Sequence, residues 1–235
     1  MTEQYVLDRV KVRNLLNRAS SAASTSTTEE QLHPWYSSCF SSFNLPLMRL
    51  WDSKSGSQLD EKKRMNSRAP RERLDTTTSR ERSLAIHINH ANWTHTPYIS
   101  FTSSPTAIEE LAEWRQPKRG CQTLTVIHPN TRLRNGLPIL DFAAEMKHYN
   151  VRNPYGGQNK YCKDHYICLW QVTEKEIIGH WNWDELVESG NWYEDIIMPA
   201  FREFSKYSDL SVIMDKLCCK SHSPPFCAVA NKASG

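Results

Sequence analysis

The chain has 235 residues, 39% of them hydrophobic and 23% charged, with a formal net charge of +3. That length suits one domain with extensions or two small ones, and it is long enough to bury a sizeable core. No apolar run approaches the roughly 18 residues of a membrane helix, and the opening MTEQYVLDRVKVRNLL carries charges where a secretory leader has an apolar stretch.

Taken in order, residues 3–19 space Val6, Val10, Leu15 and Leu16 as an amphipathic helix. ASSAASTSTT at 19–28 reads as a linker, so residues 1–30 are expected to form a helix and linker ahead of a folded body over 31–217. Leu45 to Trp51 predicts a strand with one charge in it, Arg49, which either snorkels to the surface or finds a partner. Residues 61–82 hold eight Lys or Arg against four acids and few apolar positions. They predict a basic insertion at 60–83, a long loop or partly disordered segment that is solvated or meets phosphates.

Tyr98 to Thr102 alternates as a strand. Ser104-Pro105 then opens a helix to Arg115, with Ile108, Leu111 and Ala112 inward and Thr106 and Glu109 spaced as a capping box. His87, His90 and His95 lie close together but lack a matching Cys or Asp pair, so no metal site is predicted. Cys121 to His128 reads as a strand, Ile139 to Tyr149 as a helix, and Asn153 to Gly157 as a loop without the Gly-Lys-Ser/Thr of a phosphate loop. His165 to Val172 reads as a buried strand, followed by a turn at Glu174-Lys-Glu.

Asn182 is a natural N-cap for a short helix bearing Asp184, Glu185 and Glu188. At helical spacing these carboxylates share one side, where acids also suit the macrodipole. Trp181, Trp183, Trp192 and Tyr193 surround them, which is unusual for a merely solvated acidic face. Trp192 to Phe204 predicts a helix interrupted at Pro199, Asp209 to Leu217 closes the fold, and 218–235 reads as a flexible tail. The seven cysteines, odd in number, read as reduced thiols and predict a cytoplasmic protein. Cys218, Cys219 and Cys227 are not spaced as a zinc set.

Two resemblances attach to these segments. Arg49 in LPLMRLW, the strand end Tyr98-Ile-Ser-Phe-Thr-Ser-Ser104 and the strand start His165-Tyr-Ile resemble the Arg, Ser-Thr-Ser and Glu arrangement of ADP-ribosyltransferase-like folds. The resemblance implies an α+β domain with a split central antiparallel sheet flanked by helices, and a pocket of Arg49, Ser100, Thr102 and His165. The catalytic glutamate is replaced by His165, which cannot stabilise an oxocarbenium-like centre as a carboxylate does. The Ile-Ser-Phe-Thr-Ser-Ser-Pro strand end, the Trp-rich segment and Asp195-Ile-Ile-Met-Pro-Ala-Phe201 also resemble the fungal arginine-containing cyclodipeptide synthases. Asp184-Glu185-Leu-Val-Glu188 is similar to their Asp-Asp-x-x-Glu motif, with Glu in the second place.

This second resemblance implies an aminoacyltransferase of secondary metabolism and alkaloid biosynthesis. It would join arginine from Arg-tRNA to a second amino acid from another charged tRNA, giving a diketopiperazine for downstream tailoring enzymes of a gene cluster. Asp184, Glu185 and Glu188 would be catalytic, with substrate held by Arg49, Ser100, Thr102, Ser103 and His165 and no cofactor. The chemistry agrees: the acyl groups arrive activated as esters, and a carboxylate can take an amine's proton or hold a guanidinium. Ser100 or Ser103 is a candidate acyl carrier, although no general base lies beside either in sequence. The alternatives are a catalytically degenerate ADP-ribosyltransferase-like domain binding a nucleotide or protein partner, and a non-enzymatic nucleic-acid binder using 61–82.

Overall fold

A computed structural model describes residues 5–17, 27–155 and 164–208. The expected linker, the segment 209–217 and the tail with Cys218, Cys219 and Cys227 lie wholly or mostly outside those residues. The first described helix is α1 (Arg9–Leu16), capped by Asp8 and anchored through Val12 and Leu16. A one-turn helix α2 (Glu29–Leu32) carries a Thr28/Gln31 capping box and leads into a 3₁₀ turn at Trp35–Phe40.

The strands are β1 (Leu47–Trp51), β2 (Met65–Asn66), β3 (Tyr98–Thr102), β4 (Thr123–Ile127), β5 (Ile139–Asp141), β6 (His165–Leu169), β7 (Gln171–Val172) and β8 (Ile177–Asn182). Six of them form one antiparallel sheet in the order β5-β6-β3-β1-β4-β8, while β2 and β7 pair separately. The helices are α3 (Thr77–Ile88), α4 (Pro105–Arg119), α5 (Pro129–Arg134), α6 (Phe142–His148) and α7 (Trp183–Val187). A last helix, α8, covers residues 192–208. The protein is thus a single mixed α+β domain whose six-stranded antiparallel sheet is flanked by helices. Among the described residues, no helix is long and apolar enough to cross a membrane.

One face of the sheet carries two apolar clusters. Tyr98, Ile167 and Leu169 pack with Leu84 and Ile88 of α3, Phe142 of α6 and Trp35. Met48, Leu50, Leu124 and Val126 pack with Ile108 and Ala112 of α4 and with Trp183, Leu186, Trp192 and Ile197. The other face buries Leu47, Ile99, Phe101, Ile127 and Cys168. Burial pushes the Cys168 thiol up to about 12.

Several expectations are corrected. The 60–83 segment is not one long loop: it supplies β2 and the first half of α3. Its charges are partly internal. Arg80 is fully buried, binds Glu30 at 2.5 Å and the carbonyls of Leu74 and His33, and covers the Trp35 ring. Arg64 pairs with Asp60 at 2.8 Å. The expected helix at 139–149 begins as β5, which pairs with β6, and turns helical at Phe142 under an Asp141 cap.

The expected strand 165–172 breaks at Trp170, whose φ of 60° sends the chain from the main sheet into the small one. Bonds from the Trp170 N–H to Pro97 O (2.6 Å) and from its indole to Glu72 O (2.7 Å) hold that kink. Helix α4 runs beyond Arg115, through Pro117, and stops at Gly120, where φ is 72°. Helix α8 is not interrupted at Pro199. A π turn at Tyr193–Ile197 widens the coil just ahead of it, relieving the clash of a proline ring with the carbonyl four residues back.

Buried ion pairs pin the sheet's periphery. Arg132 of α5 is fully buried and bonds Glu176 at 2.6 Å, Gln171 O at 2.8 Å, Leu169 O at 3.0 Å and Pro138 O at 3.0 Å. Glu176 also accepts from the N–H and hydroxyl of Thr173.

Candidate functional site

The sheet is split at its centre. Strand β1 makes five ladder pairs with β4, and β3 makes five with β6, yet β1 and β3 share only Met48 opposite Thr102. Backbone groups that a ladder would use are taken by arginines instead. Arg49 Nη1 donates to Ser100 O at 3.1 Å and Nη2 to Ser57 O at 3.5 Å, while Arg115 Nη1 of α4 donates to Leu50 O at 2.9 Å.

Strand alternation places Arg49 on the face of Leu47 and Trp51, behind the opening. Its Nε is buried without a partner, and among the described residues no carboxylate forms an ion pair with it. Burial, and then the neighbouring Arg115 charge, lower its pKa to about 10. A buried guanidinium without a counter-ion is costly unless something anionic arrives.

On the other side of the split lies a polar notch. Ser100 and Thr102 of β3 and His165 of β6 share this face, since Thr102 pairs with His165 and Ser100 with Ile167. Helix α3 adds His87. Its Nε2 lies 2.9 Å from Ser100 Oγ, and its Nδ1 lies 2.9 Å from Oγ1 of buried Thr96. When Nδ1 carries the proton and bonds Thr96, Nε2 is free to accept from the Ser100 hydroxyl. The His87 ring stands edge-on to Tyr98 and Phe142.

Burial, then the His165 and Arg49 charges, lower the His87 pKa to about 3. Burial, then His90 and Arg49, lower that of His165 to about 4. Both rings are therefore neutral near pH 7. Among the described residues His165 Nε2 is buried with no hydrogen-bond partner, and its ring rests 4.6 Å from that of Phe142.

The expected substrate residues divide. Ser100 and His165 share one face beside the split, while Arg49 projects from the other face and reaches the Ser100 carbonyl through it. Thr102 lies beside them, but its Oγ1 accepts from Ser104 N at 3.1 Å, and the Ser103 N–H is tied to Asp164 O at 3.1 Å. Asp184, Glu185 and Glu188 stand elsewhere, on α7 after the edge strand β8, with β4 and β1 between them and the split. Asn182 caps that helix as expected, accepting from the Asp184 and Glu185 N–H groups at 2.9 and 3.4 Å. All three carboxylates are exposed. The tryptophans do not ring them: Trp183 and Trp192 face inward, with centroids 5.2 Å apart.

Sequence reasoning missed His87 as a partner of Ser100. Nothing in the 13-residue separation signals the contact, which arises only when α3 docks on β3. Among the described residues, no three His, Cys, Asp or Glu side chains are grouped to hold a metal.

These features define a split-sheet α+β domain with a Ser–His pair and, at the split, an arginine that forms no direct ion pair among the described residues. Residues 44–186 match the family model described as Domain of unknown function (DUF7587), more than half of the chain, and the protein belongs to that family. No curated protein and no solved structure matches the chain.

Proposed function

We propose that the chain is an aminoacyltransferase that builds an arginine-containing cyclodipeptide from charged tRNAs, with Ser100 as acyl carrier and His87 as its base. The observation that carries this reading is the 2.9 Å approach of His87 Nε2 to Ser100 Oγ, with Thr96 behind Nδ1. A nucleophile, a base and a group orienting the base are the parts acyl transfer requires.

Ser100 Oγ attacks the ester carbonyl of Arg-tRNA and its proton passes to His87 Nε2. The ester C–O bond breaks, and His87 returns the proton to the departing ribose oxygen. The amine of the second aminoacyl group, in its neutral form, then attacks the Ser100 ester and releases the serine hydroxyl. The new dipeptide's free amine closes on the second tRNA ester, giving the diketopiperazine and free tRNA.

His87 is a weak base with no carboxylate behind it, which suits exchange between activated esters better than amide cleavage. Arg49, whose guanidinium bonds the Ser100 carbonyl, adds positive charge behind the strand that carries the nucleophile.

The test is mass spectrometry of cells expressing the chain beside Ser100→Ala and His87→Ala. Wild type should yield an arginine-containing diketopiperazine, and removal of His87 should cost about 10²–10⁴-fold in rate. Ser100→Ala should abolish both the product and an arginyl adduct on the intact protein. An equal yield from Ser100→Ala, or no product from folded wild type with ample charged tRNA, would sink the proposal.

A second reading has one observation in its favour, the Arg49 charge at the split, which forms no direct ion pair among the described residues. It is a catalytically degenerate ADP-ribosyltransferase-like module that holds a nucleotide. It predicts NAD binding by calorimetry, unaffected by Asp184→Ala.

A further inference from the structure

Aromatic and basic side chains cluster near the Ser–His pair. Arg68 lies over the Trp93 ring, 5.7 Å from guanidinium carbon to centroid, and its Nη1 and Nη2 donate to Trp93 O and Thr94 O at 2.9 and 3.2 Å. The Arg68 stem presses on Gly56, where an added Cβ would come within 2.6 Å of it. The next residue, Ser57, accepts from Arg49. Ala69, the residue after Arg68, donates its N–H to Thr96 O at 3.2 Å, and Thr96 Oγ1 lies 2.9 Å from His87 Nδ1, so one wall runs from His87 through Thr96 and Arg68 to Trp93. On the α3 side, three residues after His87, the exposed His90 ring stacks on Tyr155 at 5.3 Å and 17°.

Trp93 is 63% and Tyr155 54% exposed, and Trp93 carries a cation at its face. Flat rings held open to solvent beside arginines suit neither a core nor an ordinary polar surface. They suit unpaired bases, each of which has a face to stack and a phosphate to neutralise.

We propose that Trp93 with Arg68, together with the His90–Tyr155 pair, forms a base-stacking rim for the single-stranded 3′ end of a nucleic acid, aiming its terminal ribose at Ser100. This rests on the acyl-transfer reading for the orientation of the strand, but the binding itself is independent of catalysis.

The experiment is fluorescence anisotropy with a short single-stranded RNA ending in CCA, uncharged, and a duplex of the same length. Wild type should bind the single strand in preference to the duplex. Trp93→Ala and Tyr155→Ala should each weaken binding by about 5- to 150-fold, the worth of one stacked base. Arg68→Gln should flatten the slope of log affinity against log salt by about 0.7, one phosphate contact on a single strand. Circular dichroism identifies any variant that fails to fold, and Trp93→Phe, which keeps a stacking face, should then restore most of the binding. No binding by wild type, equal binding of the duplex, or less than a twofold effect of both ring deletions would overturn the rim. Wild type that binds the RNA but yields no diketopiperazine would keep the rim and sink the acyl chemistry, so the two failures are distinct.

Discussion

His165 offers the sharpest thermodynamic test of the notch. Its Nε2 is buried without a partner among the described residues, and its ring lies against Phe142. Leaving such a nitrogen unsatisfied costs about 1–3 kcal/mol. His165→Phe keeps a flat ring of similar size and removes the nitrogen, so it should stabilise the fold by about that amount at pH 7.

The pH dependence adds a signature. The folded pKa, about 4, lies below the ordinary histidine value. Above pH ~6.5 both folded and unfolded His165 are neutral and pH has no effect through it. Between pH ~6.5 and the folded value the unfolded state binds a proton that the native state refuses, so stability falls as pH falls, by about 1.4 kcal/mol per unit. At pH 5 this adds about 2 kcal/mol, and the advantage of the variant should widen to about 3–5 kcal/mol. Urea denaturation at pH 7 and pH 5 measures both quantities, and for a chain of this size each kcal/mol moves Tm by about 2–4 °C. A destabilised variant, or an advantage that does not grow on acidification, would refute the reasoning. A stabilising substitution in the notch that also removes activity would mark His165 as strain retained for function.

Three further outcomes follow from other parts of the fold. Arg132→Ala leaves the Glu176 carboxylate buried and unpaired and strands three carbonyls, so it should lower stability by about 3–5 kcal/mol in chemical denaturation. Asp184→Ala and Glu188→Ala, at exposed positions on a short helix, should each change stability by less than about 1 kcal/mol. A loss of product in those variants would therefore report on chemistry and not on folding. In native protein, mapped by mass spectrometry after alkylation, exposed Cys121 should react promptly, whereas buried Cys168, whose thiol is pushed up to about 12, should react only on unfolding.

The parts of the fold legible in the sequence are those whose signal is local. Strand β3 shows its alternation, and α4 announces itself with Ser104-Pro105, a cap and a first-turn proline. Helix α3 was obscured because periodicity assigns arginine to solvent, while Arg80 is internal through Glu30, which lies 50 residues away. Strand β8 was obscured because all of its residues but Asn182 are half-buried, which leaves no polar and apolar alternation to read. The break at Trp170 could not be foreseen, since a left-handed tryptophan is held there only by tertiary bonds to Pro97 and Glu72.

The site divides in the same way. Ser100 and Arg49 stood out by residue type in a recognisable order. His87 did not, because its function depends on how a helix lies across a strand. The acidic helix was legible as a helix, but the inward turn of its tryptophans reflects core packing that spacing alone does not reveal.

The split between β1 and β3 has a consequence for how such a site varies. Paired strands sit about 4.8 Å apart, a distance that backbone hydrogen bonding fixes. Here the Arg49 guanidinium reaches from β1 to the Ser100 carbonyl in place of the ladder, so the spacing there is set by side-chain length. One substitution at position 49 would thus change what fills the gap between β1 and β3 while the ladders to β4 and β6 on either side stay in place.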